Sequence, residues 1–295
     1  MVVRQRKSGV PPIVLYSAAG GFIAMVTLIF SIRSVVISEP ISVCSARYHR
    51  ASVLPYRSNG RLLAPADIQA RLGERDWGLQ SNGRIVAASD TPAAAALEVA
   101  LPAGGKAGGT IANPVSGLGF RWTPNFLRTA THVCLTYQVW LPNEFDFGRG
   151  GVLPGVFGGD PKGKPDNQGR HPHFAVRPKW LPAGRGGLQA VTAWEPRGIA
   201  RDYLGFDFRM PRGSWVAVEQ EVTLNAPGSA NGVLRIWING ELRFNAQDIA
   251  YRHRADVGFT GIVADTHYAA PNTIEWHPAP KDARIRLTPF VVRWH

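Results

Sequence analysis

Cysteine is nearly absent: 295 residues hold two, Cys44 and Cys134, with no CxxC pair and no histidine spacing suited to zinc, so no structural metal is expected. Outside the cytoplasm the two thiols could pair, and inside it they would stay free; the sequence leaves both open. No dense acidic loop marks a calcium site, and no cofactor is expected. Acidic residues are the minority charge, 21 against 33 Lys and Arg, and the formal net charge of +12 favours anionic partners. There is no zinc-finger spacing, RNP-like aromatic motif or Lys/Arg-rich block, so no nucleic acid is expected among them. Long amphipathic helical patterns are missing beyond the N-terminal segment, which leaves strands as the building material.

What is present is turn formers, 32 Gly and 23 Pro, and one long apolar run. Ile13 to Ile32 is uncharged and about 20 residues long, the length at which a helix crosses a roughly 30 Å hydrocarbon core. Arg4, Arg6 and Lys7 precede it, which places the N-terminus in the cytoplasm and the rest of the chain in the periplasm or outside the cell. A cleavable signal peptide competes with this reading, but the run exceeds the usual apolar region and lacks a prompt small-x-small site. The expected organisation is a basic cytoplasmic tail over 1–12, a single transmembrane helix over 13–33, a linker without a core of its own over 34–74, and one domain over 75–295. Ala66 to Arg75 reads as a short helix.

Beyond the linker, runs of four to eight Val, Ile, Leu, Phe and Trp recur between Gly, Pro and Asn clusters. Candidate strands are Ala95 to Leu101, Gly117 to Trp122, His132 to Leu141, His173 to Trp180, Gly187 to Trp194, Gly205 to Met210, Trp215 to Leu224, Gly232 to Asn239, Gly258 to Val263 and Ala283 to Val292. Leu234, Ile236 and Ile238 alternate with Val233, Arg235 and Trp237, as in a strand with one buried face. Asn239-Gly240 between apolar runs predicts a type I′ hairpin. Many antiparallel strands without helices make an all-β fold, a jelly-roll sandwich in the first instance.

Five segments in order carry a resemblance: Tyr137 to Gly159 (YQVWLPNEFDFGRGGVLPGVFGG), Phe174 to Trp180 (FAVRPKW), Trp215 to Asn225 (WVAVEQEVTLN), Gly232 to Phe244 (GVLRIWINGELRF) and Trp276 to Val292 (WHPAPKDARIRLTPFVV). Their order and spacing resemble the alginate-lyase-like polysaccharide lyase 14 group, which implies a β-jelly-roll and β-elimination at a uronic acid. That reaction needs a cation or donor for the carboxylate, a base for the C5 proton and an acid for the departing oxygen. The family pattern carries a lysine where this chain has Val152, and a Ser-x-Arg where it has Ala175 and Arg177. Its pair of tyrosines would fall within Leu188 to Thr192, which contains none.

Nearby residues are candidates to take over. His173 and Tyr268 are the candidate proton handlers, Arg177 and Lys179 the candidate carboxylate grip, and His171 and His267 adjoining polymer contacts. Histidines in Pro-rich loops are more often plain loop residues. Trp194 is a candidate stacking platform, as is Trp180, while Trp237 reads as core. Glu144 and Asp146 sit in a turn and face no evident partner for glycoside hydrolysis. The expected function is therefore a membrane-anchored protein that binds, and in one version cleaves, an acidic polysaccharide. The rival version is a non-catalytic glycan-binding or scaffolding subunit beside membrane-protein partners of a polysaccharide machinery, and a third a protein-binding sandwich that never meets sugar.

Overall fold

The computed structural model describes residues 42–72, 76–105, 115–193, 203–270 and 276–295, with side chains at all of these except 203–206. The apolar run at 13–33 expected to cross a membrane lies outside the described residues; among those described, no helix is long and apolar enough to do so.

In chain order the strands are β1 (Arg50–Val53), β2 (Arg57–Ser58), β3 (Arg61–Leu62), β4 (Gly83–Ala87), β5 (Ala95–Leu101), β6 (Arg121–Trp122), β7 (His132–Trp140), β8 (Gly151–Val152), β9 (Gly155–Gly159) and β10 (His173–Trp180). They continue with β11 (Arg185–Val191), β12 (Tyr203–Arg209), β13 (Trp215–Thr223), β14 (Gly232–Ile238), β15 (Glu241–Ile249), β16 (Phe259–Val263), β17 (His267–Tyr268), β18 (Ala283–Leu287) and β19 (Val291–Trp294). Among the described residues three short α-helices accompany them: α1 (Val43–Arg47), α2 (Pro65–Gln69) and α3 (Leu79–Asn82).

Two antiparallel sheets form a sandwich. One has nine strands, ordered β15-β14-β13-β7-β18-β5-β4 with β1 and β19 attached through β7; the other has eight, ordered β12-β11-β10-β9-β16-β6 with β8 and β17 attached. Period-two alternation turns Leu97 and Val99, Val133 and Leu135, Val216 and Val218, and Leu234 and Ile236 inward to meet Phe174, Val176, Trp180, Leu188 and Ile262 from the other sheet. A polar tie joins the layers, where the buried Gln220 side chain donates to the Val176 carbonyl at 3.0 Å. The Asn239-Gly240 turn forms as predicted, with both residues at positive φ between the paired Ile238 and Glu241.

Three expectations need correction. The stretch read as a linker is, over residues 42–72, part of the same compact unit as the sandwich. Leu54, Tyr56, Leu63 and Ile68 enter the common core, and a disulfide joins Cys44 on α1 to Cys134 on β7. Prolines and arginines made this stretch look irregular, yet it needs only a few apolar anchors to pack on an existing sheet. Second, the single strand expected over Ala283 to Val292 is broken at 288–290, and its two halves, β18 and β19, pair with different parts of β7. Pro289 cannot donate to a ladder, and the Thr288 hydroxyl instead takes the Gln138 amide at 2.8 Å. Third, the helix expected over Ala66 to Arg75 is shorter, Pro65–Gln69.

Candidate functional site

The sandwich has two outer faces. On the nine-stranded sheet, Glu98, Glu219 and Glu221 point away from the core yet are almost fully buried. Glu219 accepts from Ser42 Oγ at 2.6 Å, from the Val43 amide at 3.1 Å and from the Cys44 amide at 2.8 Å. Glu221 accepts from Arg47, Tyr48 and Arg235 at 2.7–2.8 Å. Glu98 takes three arginines, Arg84, Arg284 and Arg286. Burial alone would raise the Glu98 and Glu221 pKa values, but the arginine bonds, joined at Glu221 by the Tyr48 hydroxyl, outweigh it and hold both carboxyls below their ordinary value. Each of these three buried carboxylates is matched by donors.

The front face, on the eight-stranded sheet, differs. Along β10, Phe174, Val176 and Trp180 face the core, so His173, Ala175, Arg177 and Lys179 face outward. Ladder register sets their neighbours: Arg177 stands opposite Gln189, and Ala175 lies between Val191 and Phe157. Lys179 stands opposite Val152, which in turn stands opposite His267. Arg121 on β6 lies 5.2 Å from the Phe157 ring centroid. Ala175, Val191, Phe157 and Val263 form a small apolar cluster of their own on this side.

Arg177 is 12% exposed and meets Asp265 at 3.3 Å through one terminal nitrogen. Among the described residues, Arg177 Nε, Gln189 Oε1 and His173 Nδ1 are buried atoms that make no hydrogen bond. A buried polar group left unbonded costs about 1–3 kcal/mol, and Arg177 with Gln189 puts such a donor and such an acceptor on directly paired residues. His173 packs edge-on to His171, with ring centroids 5.4 Å apart. Burial, with the charges of His171, Arg121 and Arg177, lowers the His173 pKa below its ordinary value and leaves the imidazole neutral, able to accept a proton near pH 7.

The other predicted site residues are dispersed. Tyr268 belongs to the core: it is 1% exposed, stacks on Phe145, packs edge-on to Trp180 and donates its hydroxyl to the Asp146 carbonyl at 2.5 Å. Burial and the nearby Asp146 charge raise its pKa, so a role in moving protons at the front face is corrected. Tyr56, Tyr137 and Tyr251 are also in the core and Tyr48 is on the back. Trp180 is fully buried, so it is no platform for sugar. Lys179 lies on the front face but is 2% exposed, with Nζ donating to the Ala270 carbonyl at 2.7 Å, so it ties down a loop rather than presenting its charge. His267 is buried edge-on to Trp77, 5.6 Å between centroids. His171 remains half-exposed beside His173, its amide bonded to the Ala193 carbonyl at 2.9 Å. Trp194 lies outside the described residues.

Sequence reasoning missed Gln189 and Asp265. Period-two alternation within the Gly187 to Trp194 strand would have put Gln189 on one face with Val191, but the pairing with Arg177 needs the register. Nothing local marks Asp265.

Comparison with known proteins agrees with this architecture. The family model "Polysaccharide lyase 14" matches residues 89–285. The fold is similar to the alginate lyase vAL-1 from Chlorella virus, at TM-score 0.59 and 19% identity over 72% of this chain and 90% of that one. It is also similar to the marine PL-14 alginate lyase from Aplysia kurodai, at TM-score 0.61 and 20% identity over 84% and 99%. The endo-β-1,4-glucuronan lyase from the fungus Trichoderma reesei follows at TM-score 0.53 and 11% identity over 76% and 90%. No curated protein matches the sequence. At these identities the structural likeness is one of fold, while the family model spans most of the sandwich: the chain belongs to polysaccharide lyase family 14.

Proposed function

We propose that the front face binds a uronate-containing polysaccharide, with Arg177 and Gln189 as the grip. The observation that carries this is the register pair itself: an orphaned donor, Arg177 Nε, beside an orphaned acceptor, Gln189 Oε1. Both atoms are buried, so a ligand meets them only when the two side chains turn outward; it must then present an acceptor next to a donor, and a sugar carboxylate with its neighbouring hydroxyl does so. Family membership supports the same ligand class, since the solved structures of similar fold include alginate lyases, one of them a variant in complex with an alginate trisaccharide, and a glucuronan lyase.

Elimination is the second reading, and the neutral, unpartnered imidazole of His173 favours it. With Arg177 neutralising the carboxylate, the His173 imidazole would take the C5 proton, and the electron pair would pass to expel the glycosidic oxygen, protonated by solvent. His173 and Arg177 lie four residues apart on one strand, about 13 Å between Cα atoms, and only Ala175 stands between them on that face, so both long side chains can lean toward one sugar. With Val152 fully buried and no phenol on this face among the described side chains, binding takes precedence over turnover.

The test incubates the full-length chain with a panel of uronic-acid polysaccharides, following polymer binding by co-sedimentation and unsaturated product by ultraviolet absorbance. Binding that falls at least tenfold in Arg177→Ala supports the grip. Product whose rate climbs with pH through a value below 6.5 and disappears in His173→Gln supports elimination. No binding to any member of the panel would overturn the proposal.

We also propose that this domain is displayed outside the cytoplasm, held by the apolar run at 13–33. The disulfide between Cys44 and Cys134 supports an oxidising compartment.

A further inference from the structure

We propose that Asp265 is a built-in competitor for the Arg177 guanidinium and sets how strongly this face discriminates between anionic sugars; this rests on the Arg177 grip proposed above.

The geometry separates a competitor from a support. A carboxylate that positions an arginine normally takes the guanidinium fork through two parallel bonds. Asp265 instead touches one terminal nitrogen at 3.3 Å and leaves Nε, on the fork's side edge, without a bond. Asp265 is itself placed by other parts of the fold. A Cβ on Gly119 would collide with both the Trp77 indole nitrogen and the Asp265 carboxylate, so the bare glycine backbone makes room for these two side chains together. Trp77 is fixed in turn by the backbone bonds between residues 77 and 119, at 2.9 and 3.0 Å, and by its edge contact with His267. The aspartate thus sits in a crowded corner beside Trp77, and Arg177 meets it there at a single point.

A ligand carboxylate that enters at Arg177 finds an acidic group already beside the guanidinium. It must replace a loose one-point contact with a two-point one while a like charge sits nearby, and that repulsion lowers the affinity for any single carboxylate. Asp265 can also accept a hydrogen bond from a sugar hydroxyl. The arrangement therefore favours a uronate whose hydroxyl meets Asp265 while its carboxylate meets Arg177 Nε, and disfavours bare anions such as sulfate or acetate. It predicts that removing the charge at 265 makes the face bind anions more tightly and less selectively.

The experiment measures dissociation constants of the full-length chain for a saturated uronate tetrasaccharide and for inorganic sulfate, by calorimetry at fixed ionic strength. It compares wild type with Asp265→Asn, Arg177→Ala and the double variant, and thermal unfolding of each checks that it is folded. Tighter tetrasaccharide binding by about tenfold in Asp265→Asn, together with a larger gain for sulfate and no gain in the Arg177→Ala background, is the expected result. Weaker or unchanged binding in a folded Asp265→Asn would overturn the competitor role while leaving the grip intact. Failure of wild type and Asp265→Asn alike to bind the tetrasaccharide would overturn the grip, and this inference with it.

Discussion

The two outer faces of one sandwich treat buried polar groups differently. On the back, three glutamates accept every bond their setting demands, from arginines, a tyrosine, a serine and two backbone amides. On the front, Arg177 Nε and His173 Nδ1 on β10 and Gln189 Oε1 on the paired β11 stay without partners together, whereas unbonded atoms on the back, such as Thr136 Oγ1 and Arg243 Nε, lie on separate strands, β7 and β15. Buried polar groups cost free energy unless matched, so under the proposed function the back is structure and the front is the binding site. Changes on the back should therefore alter stability and spare binding, and changes on the front the reverse.

The largest expected effect is on the back. Replacing Cys44 and Cys134 by serine reopens a loop with a sequence separation of 90 and releases α1 from β7. Chemical denaturation should show a loss of about 4 kcal/mol, with polymer affinity below the unfolding transition unchanged. Next is Glu219→Ala, which strands the Ser42 hydroxyl and two amides at the start of α1, for a loss of about 2 kcal/mol in the same assay. Acid should act on this face too. Glu98 and Glu221 have folded pKa values below the ordinary 4.5, so their stabilisation is complete above that pH and is lost as pH falls through the folded values. A denaturation series across that window should flatten when Glu221 is changed to Gln. The smallest loss of stability belongs to Arg177→Ala, because its one ion pair is loose and the change also removes an unbonded buried Nε; the same change should weaken polymer binding at least tenfold. A large stability loss in Arg177→Ala would erase the distinction between the faces.

Much of this was legible in the sequence. Strand β10 occupies the very residues read from its pattern, His173–Trp180, because hydrophobic alternation and flanking turn residues agree there. Strand β15 was not anticipated beyond its hairpin turn: Glu241–Ile249 is a mostly exposed edge strand whose polar residues give no alternation. Aromatic residues were the least legible. Tyr268 and Trp180 looked able to meet sugar, but their neighbours across the ladder include Gly151, where a Cβ would collide with the Trp180 indole, and that vacancy draws the ring into the core. Arg177 was readable from its strand, whereas Gln189 and Asp265 become partners only through register and a long-range approach, which no local pattern encodes.

Under the proposed function the front face reads a carboxylate through Arg177. The most direct measurement compares binding of one uronate polysaccharide with its carboxyl-reduced, neutral form, for the full-length wild-type chain and Arg177→Ala. The account predicts a preference of at least tenfold for the acidic polymer in wild type, abolished in the variant. Equal affinity of wild type for the two polymers, or a preference that survives in Arg177→Ala, would contradict it.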